Sequence, residues 1–403
     1  MSDHHREESI PVAVERLSGR AVGLERVCGV VGALGLLLCV AGFFGDRADF
    51  FQSYHFAFTY WSGFSLGGLC VLLMHHTVGG RWGVTIRRLL EAQMRTLPLI
   101  ALLILPVFLF GLEQIYPWAR PADVANSPIL RHRQGYLNTP FFIARTALYF
   151  AIWLFWGFRV NRMSDLQDET GNPTLRERMR AFSAPGILVF TFTATFAYID
   201  WILSADAQFY STVYGAMILI GDVLQAIAMS IIVLVLASGA DGFQGRVNAN
   251  VLHDLGNLMF AFVIFWAYLS ASQLIIVWPA NLPLELQWYL VRVHGFWKYM
   301  AAATALSMFV LPFLLLLSQQ RKRHPIRLMR VASFVLCARI IDMFWIVEPT
   351  YRRNGFAVYW TDFAAFLGVG GIWLYVYLRQ LRRRPLLPLR DARIAPVASE
   401  AVA

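Results

Sequence analysis

Ten long apolar stretches constrain this chain more than any other feature of its sequence. A helix needs about 20 mainly apolar residues to cross the hydrocarbon core of a bilayer. Ten segments are long and apolar enough to do so: 27–45, 54–76, 96–113, 140–160, 185–204, 212–238, 255–278, 296–318, 328–347 and 359–379. The sequence therefore predicts an all-α integral membrane protein with about ten transmembrane helices.

The composition agrees with a membrane protein and excludes a soluble enzyme. Charged residues make up 15% of the chain and hydrophobic residues 58%, whereas about a quarter of a soluble domain is charged. The formal net charge is +10. Because the basic residues lie in short clusters between the apolar stretches, the charge indicates membrane topology rather than nucleic-acid binding.

The distribution of Lys and Arg predicts the orientation in the membrane. With the N-terminus in the cytoplasm, 25 of these residues fall on the cytoplasmic side and nine on the outer side, and cationic connections resist translocation. We therefore expect a cytoplasmic tail over 1–26, a membrane domain over 27–380 and a second cytoplasmic tail over 381–403. The first apolar run lacks a small-residue cleavage pattern, so we expect it to remain as an anchor.

Several ionisable residues fall at membrane depth, where an uncompensated charge costs several kcal/mol and is a functional hypothesis by default. Arg339 and Asp342 lie three residues apart and share one helix face, and Asp222 shares a face with Gln225. The candidates for a proton path are Asp200, Asp222, His253, Asp254, Arg339 and Asp342. The alternative is that Arg339 and Asp342 form a structural ion pair and that other acids, such as Asp206 and Asp362, are helix-end groups in water.

Residue types that hold metals or redox groups are scarce or badly spaced. The four cysteines lie far apart inside apolar runs, without a C-x-x-C pair, so neither a disulfide framework nor a thiolate metal site is indicated. His75 and His76 are consecutive and would point about 100° apart on a helix, which argues against a pair of axial haem ligands. We expect them to lie at the membrane interface, and we expect this chain to bind no redox cofactor.

The most distinctive run lies between residues 253 and 289. It contains HDLGNLMFAF (253–262), FWAYLSASQ (265–273), WPANLPLE (278–285) and WY (288–289), and further motifs are GGRWG (79–83), YPW (116–118), DWILS (200–204), YSTVYG (210–215) and RIIDMFW (339–345). Together these motifs resemble the ActF-type membrane subunit of alternative complex III, a bacterial quinol:cytochrome c oxidoreductase, within the NrfD and polysulfide-reductase membrane-subunit superfamily. The resemblance extends from about residue 27 to residue 380.

The resemblance implies an architecture, a location and a set of partners. It implies two tandem four-helix bundles, over 54–204 and 212–347, flanked by peripheral first and last helices in the bacterial inner membrane. The implied partners are a paralogous NrfD-like membrane subunit, an iron–sulfur subunit, multihaem and monohaem cytochrome c subunits and small membrane subunits. The haem and iron–sulfur clusters belong to those partners. This chain would be a non-catalytic subunit that provides a structural frame or a proton route.

Two other functions remain open on the residues alone. The chain could bind quinone or quinol itself between helices near the outer face, with Tyr268, Gln273 or His294 as hydrogen-bond partners. It could also be a free-standing proton-coupled secondary transporter, which likewise needs buried acids. The mid-span prolines Pro106 and Pro312 do not occupy equivalent helices of the two halves, which is atypical of transporters with internal repeats.

Overall fold

The computed structural model describes residues 9–206, 208–238, 248–353, 355–388 and 391. Helices, turns and short connections account for all of these residues, and no strand occurs among them. The expected all-α fold class is therefore confirmed. Ten long helical units follow one another in the order predicted from the apolar stretches.

The helical units are numbered α1 to α10 along the chain. They are α1 Ser9–Gly45, α2 Arg47–Val78, α3 Trp82–Ile115, α4 Thr139–Thr170, α5 Thr174–Trp201, α6 Tyr214–Ala237, α7 Ala249–Ala280, α8 Trp297–Leu317, α9 Pro325–Val347 and α10 Trp360–Arg382. Two of them contain a π-helical turn beside a proline: Val107–Gly111 after Pro106 in α3, and Leu306–Val310 before Pro312 in α8. Proline removes a backbone donor, and the wider turn accommodates the resulting break.

Nine of these units, within the described residues, are long and apolar enough to cross a membrane. The one expected span that is not among these nine is α9. It is 23 residues long, which corresponds to about 34 Å of helix, but it carries four charged residues: Arg327, Arg330, Arg339 and Asp342. Its charge content, rather than its length, sets it apart from the other nine. The architecture is that of a multi-pass helical membrane protein.

The centre of the molecule is the contact between α2 and α6. Nearly every residue of α2 is buried, and α6 is mostly buried as well. A side chain at Gly67 would collide with the backbone carbonyl of Asp222, and a Cβ at Gly63 would lie 2.6 Å from the Asp222 Oδ1. The small-residue spacing on α2 therefore lets the two backbones touch.

The first and last helices pair with each other. Gly32 and Gly35 of α1 face Gly368 and Gly371 of α10, and an added Cβ at any of these four glycines would run into the opposing backbone. The rest of α1 exposes large apolar side chains, which suits a surface in lipid. This pair packs against α2 through α10.

Successive helices connect at two opposite faces of the bundle. The loop face carries the connections that follow α3, α5, α7 and α9. The basic face carries the connections that follow α2, α4 and α8, together with the end of α6 at Ala237 and the start of α7 at Ala249. Contacts at each face agree with this division: the Arg353 guanidinium lies 3.3 Å from the Asp206 carboxylate at the loop face, and near the basic face Arg87 of α3 lies 2.9 Å from the Gln167 side-chain oxygen of α4. The loop-face segment 116–138 is folded into short helices that begin at Pro117, Pro121 and Pro128.

Candidate functional site

The sequence-predicted pair of α9 lies in a buried cluster with Asp222 of α6. Arg339 donates to the Asp342 carboxylate from one Nη and to the Asp222 Oδ1, at 3.0 Å, from the other. The second Nη also donates to the Ile218 carbonyl at 3.1 Å. The Tyr198 hydroxyl of α5 donates to the Asp222 carboxylate. All four side chains are fully buried, so helices α5, α6 and α9 meet at a polar centre, hereafter the central cluster (Tyr198, Asp222, Arg339 and Asp342).

The charges of the central cluster do not balance. It contains one guanidinium, Arg339, and two carboxylates, Asp222 and Asp342. A buried ion is tolerated only when it is paired and hydrogen-bonded, and a single arginine can neutralise only one carboxylate. A group of this composition can remain neutral by binding one proton on its surplus carboxylate. The central cluster can therefore take up and release a proton at this carboxylate.

Buried amides continue from the central cluster toward the basic face. Gln225, one turn from Asp222, donates to the Tyr60 carbonyl at 3.0 Å, and Gln93 of α3 donates to the Ser230 hydroxyl at 3.1 Å. The Oε1 atoms of both glutamines are buried and have no hydrogen-bond partner among the described residues. Buried acceptors in this condition are typical positions for internal water. We call the contact between α2, α3 and α6 that holds them the polar seam.

A buried ion network lies near the basic-face end of α3, on the side of that helix that faces α4. Glu91 of α3 accepts from the Arg87 Nε at 3.0 Å, from an Arg88 Nη at 2.5 Å and from the Ser164 hydroxyl at 2.5 Å. Arg87 also lies 3.3 Å from Asp391. By sequence position alone, Arg87 and Arg88 count among the 25 cationic residues of the cytoplasmic side. The signal was present in the spacing of Arg87, Arg88 and Glu91, which places all three on one side of a helix.

Asp200 forms a separate, balanced site at the loop-face end of α5. Arg145 of α4 binds both of its oxygens, at 2.8 and 2.9 Å, and the Tyr149 hydroxyl donates at 2.9 Å. The guanidinium also lies 3.7 Å from the centre of the Tyr136 ring. By sequence position alone, Arg145 counts among the nine cationic residues of the outer side, so the sequence does not indicate this role. One cation and one anion are fully matched here, which is typical of a structural ion pair.

His253 and Asp254 lie apart from the central cluster, at the basic-face end of α7. His253 is half-buried, and its Nδ1 lies 3.3 Å from the Asn257 amide. Asp254 is exposed, so the expectation that it is buried is wrong. Asp254 lies in the second turn of α7, on a side of the helix that no other helix covers.

The three quinone-binding candidates occupy different environments. Tyr268 is exposed on α7, whereas Gln273 is buried and accepts a hydrogen bond from Ser211. His294 is exposed in the connection after the helix Pro283–Val293, with its Nδ1 2.7 Å from the Leu290 carbonyl. These three side chains do not converge on one pocket in this chain.

The histidines that were considered for haem binding lie in the last turn of α2, at its basic-face end, and both are buried within the protein. His75 is fully buried, and its ring centre lies 5.5 Å from that of Trp82. His76 lies beside it, with the ring centres 5.3 Å apart. In the described part of the chain, no group of three or more His, Cys, Asp or Glu side chains is arranged to hold a metal ion.

A second unbalanced cluster lies at the loop face. Arg352 binds both oxygens of Asp362, at 2.8 and 2.9 Å, and its Nε lies 3.1 Å from a Glu348 oxygen. Asp362 is buried and also accepts from Ser53 at 2.6 Å, so its interpretation as a helix-end group in water is wrong. Because Asp362 takes both Nη groups of Arg352, burial dominates at Glu348 and raises the pKa of its carboxyl to about 8.

Comparison of the chain with protein-family models and with curated proteins finds no match. The structure itself provides two kinds of buried ionic site. Balanced pairing at Asp200 holds helices together, whereas the central cluster has a surplus carboxylate in the middle of the bundle. Only the second kind can change its protonation state at little cost.

Proposed function

We propose that this chain is an integral membrane subunit of a bacterial quinol:cytochrome c oxidoreductase of the alternative complex III type. In this proposal it binds no redox cofactor of its own and conducts protons along the polar seam, while its partners transfer the electrons. The motif runs between residues 79 and 345 support the assignment to this kind of complex. The central cluster is the single observation that supports proton conduction.

The chemistry of the central cluster explains why it suits this role. A proton moving through a bilayer needs donors and acceptors within about 3 Å of each other or bridged by water. Tyr198, Asp222 and Arg339 already satisfy this distance. The unpartnered Gln225 and Gln93 carbonyls continue the series along the polar seam toward the basic face. The route thus runs parallel to α2, from the loop-face half of the bundle to the basic face.

The same proposal places the protein in the bacterial inner membrane with both termini in the cytoplasm, so that the basic face is cytoplasmic. The cationic connections of that face support this orientation. The proposed partners are a paralogous NrfD-like subunit, an iron–sulfur subunit, multihaem and monohaem cytochromes c and small membrane subunits. Large apolar side chains are exposed on α7 and α8, among them Ile275 and Leu314. They suit contact with lipid or with the paralogous subunit.

The first experiment tests membership of the complex. The native protein, tagged at one terminus, is purified from its own membranes in mild detergent and examined for haem and iron–sulfur spectra. We expect c-type cytochromes and an iron–sulfur protein in stoichiometric amounts. A protein that purifies alone contradicts the assignment, and proton transport by that isolated protein would favour a secondary transporter instead.

The second experiment tests proton conduction in the intact complex. Asp222→Asn and Asp342→Asn each remove a protonatable carboxylate from the central cluster, and we expect about a tenfold or larger fall in quinol-driven proton movement, as is usual when a group that transfers protons is lost. The matched control is Asp254→Asn, which makes the same chemical change at an exposed residue. Unchanged proton movement in both central variants contradicts the conducting role.

A further inference from the structure

The loop face contains an open, polar cavity of about 370 Å³. Three regions of the chain line it: α2, the end of α3 with the connection that follows, and the connection after α9. The lining residues from these regions include Gln52, Glu113, Arg120, Thr350 and Tyr351. A cavity of this size and polarity at an aqueous face holds water, because its lining offers many hydrogen-bond partners. We call it the loop-face cavity.

Tyr351 connects the loop-face cavity to a buried histidine. Its hydroxyl lies 2.7 Å from the Nδ1 of His55 on α2. The His55 side chain is only 2% exposed, and the backbone of Trp201 is the other polar group that acts on its ring. A titratable imidazole is therefore held inside the bundle between the Tyr351 hydroxyl and a backbone carbonyl group.

A stripe of small and polar residues leads from His55 to the central cluster. Thr59, Ser62 and Gly63 follow at the three- and four-residue spacings that share one helix face. Their position on α2 is buried throughout. Eight residues separate His55 from Gly63, which corresponds to about 12 Å along the helix axis. The stripe ends at the central cluster, because the absent side chain of Gly63 leaves room for the Asp222 carboxylate.

The hydroxyls on this stripe can participate in proton transfer. Thr59 donates to the His55 carbonyl at 2.7 Å, and Ser62 donates to the Thr59 carbonyl at 2.9 Å. Each hydroxyl oxygen retains acceptor capacity. A water molecule between neighbouring groups would therefore find partners on both sides.

From this juxtaposition we propose that the loop-face cavity is the aqueous mouth of the proton route and that His55 transfers protons between it and the central cluster. Tyr351 is the hydrogen-bonded link between the cavity and the imidazole. A proton binds one ring nitrogen of His55 while another leaves from the opposite nitrogen, so that only N–H and O–H bonds form and break. The proposal rests on the proposed function, since it supplies the loop-face end of the same route.

The proposal is tested in the intact complex with two independent changes. His55→Gln removes the titratable imidazole, and Ala48→Trp fills the cavity from its α2 wall without altering His55. We expect each to lower quinol-driven proton movement about tenfold, with the haem content of the purified complex unchanged. The matched control is His132→Gln, at an exposed loop-face histidine, for which we expect wild-type behaviour.

Chemical rescue separates proton transfer from packing. His55→Ala leaves a space beneath the loop-face cavity, and we expect added imidazole to restore a substantial part of the lost proton movement. A purely structural role of His55 predicts no such recovery and overturns the proposal.

The outcomes also separate this proposal from the broader one. Normal proton movement in His55→Gln and Ala48→Trp, together with a loss in Asp222→Asn, overturns the His55 route and leaves proton conduction standing. A loss in His55→Gln alone overturns the cavity as the mouth of the route. Normal proton movement in all of these variants, and in both Asp222→Asn and Asp342→Asn, removes the conducting role itself.

Discussion

The pair Arg145–Asp200 and the central cluster are both buried arginine–carboxylate sites on α5 and its neighbours, yet they differ in charge balance. Arg145 binds both oxygens of a single carboxylate, so the one positive charge matches the one negative charge. Arg339 divides its two Nη groups between Asp222 and Asp342. The first site therefore favours one protonation state, and the second admits two.

This difference shows how a membrane protein can use the same residue types for structure and for chemistry. In a low-dielectric interior, removal of one partner from a matched pair leaves an unpaired charge. Removal of one carboxylate from the central cluster instead leaves a matched pair. We therefore expect a substitution at Asp200 to lower mainly the stability of the protein, and a substitution in the central cluster to lower mainly its proton movement.

The largest expected effect is on stability, at the balanced pair. Asp200→Asn leaves Arg145 buried without an anion, and we expect a fall of about 3–5 kcal/mol in the free energy of unfolding. Asp222→Asn is the comparison, because Arg339 keeps Asp342; we expect a loss of no more than about 1.5 kcal/mol. Denaturant unfolding in detergent micelles measures both. Equal losses would show that charge balance does not distinguish the two sites.

Replacing the whole balanced site should restore most of that loss. A triple variant with Arg145→Met, Tyr149→Phe and Asp200→Leu removes both charges and the tyrosine hydroxyl that Asp200 accepts from. Buried ion pairs exchanged for apolar residues of similar size are often neutral in stability, so we expect a recovery of about 3 kcal/mol relative to Asp200→Asn. The same unfolding measurement tests it, and a triple variant as unstable as the single one would refute the structural assignment.

The cluster at the loop face sharpens the comparison, because its surplus carboxylate can be identified. Burial raises the pKa of Glu348 to about 8 from an ordinary value of 4.5. The folded protein therefore holds this proton more tightly than the unfolded chain. The corresponding stability is fully present below about pH 4.5 and is lost as the pH rises through about 8.

Glu348→Gln should abolish that dependence. The amide does not titrate, so between these two pH values we expect the variant to retain on the order of 2 kcal/mol that the wild type loses. Unfolding free energies measured from pH 4.5 to pH 8.5 give the comparison. Glu113→Gln, at an exposed loop-face carboxylate, serves as control. Parallel pH profiles for Glu348→Gln and the wild type would contradict the prediction.

The sequence could predict the features that depend on residues close to one another along the chain. Apolar runs of sufficient length predicted the ten helical units, and the three-residue spacing of Arg339 and Asp342 predicted their contact. The four-residue spacing of Gly63 and Gly67 is typical of helices in close contact, and both glycines pack against α6. Each of these depends only on helical periodicity and hydrophobic burial.

Features that depend on distant residues were missed. Asp222 meets Arg339 across 117 residues of sequence, and Asp200 meets Arg145 across 55. Arg145 lies so near the start of α4 that its position alone indicates a solvated connection charge. His55 was not singled out, because its link to Tyr351 spans 296 residues. Periodicity within one helix holds no information about which helix packs opposite it.

The smallest expected effect concerns the contact that positions the central cluster. A side chain at Gly67 would collide with the Asp222 carbonyl, so Gly67→Ala must push α2 and α6 apart, whereas Gly45→Ala adds a methyl group where nothing lies within 4 Å. We expect Gly67→Ala to lower the free energy of unfolding by about 1–2 kcal/mol and Gly45→Ala to leave it nearly unchanged. Because the displaced backbone carries Asp222, Gly67→Ala should also reduce quinol-driven proton movement in the intact complex, although every titratable group is retained. A variant that loses stability but conducts protons normally would show that the close approach of α2 and α6 serves packing alone, and that the central cluster does not depend on it.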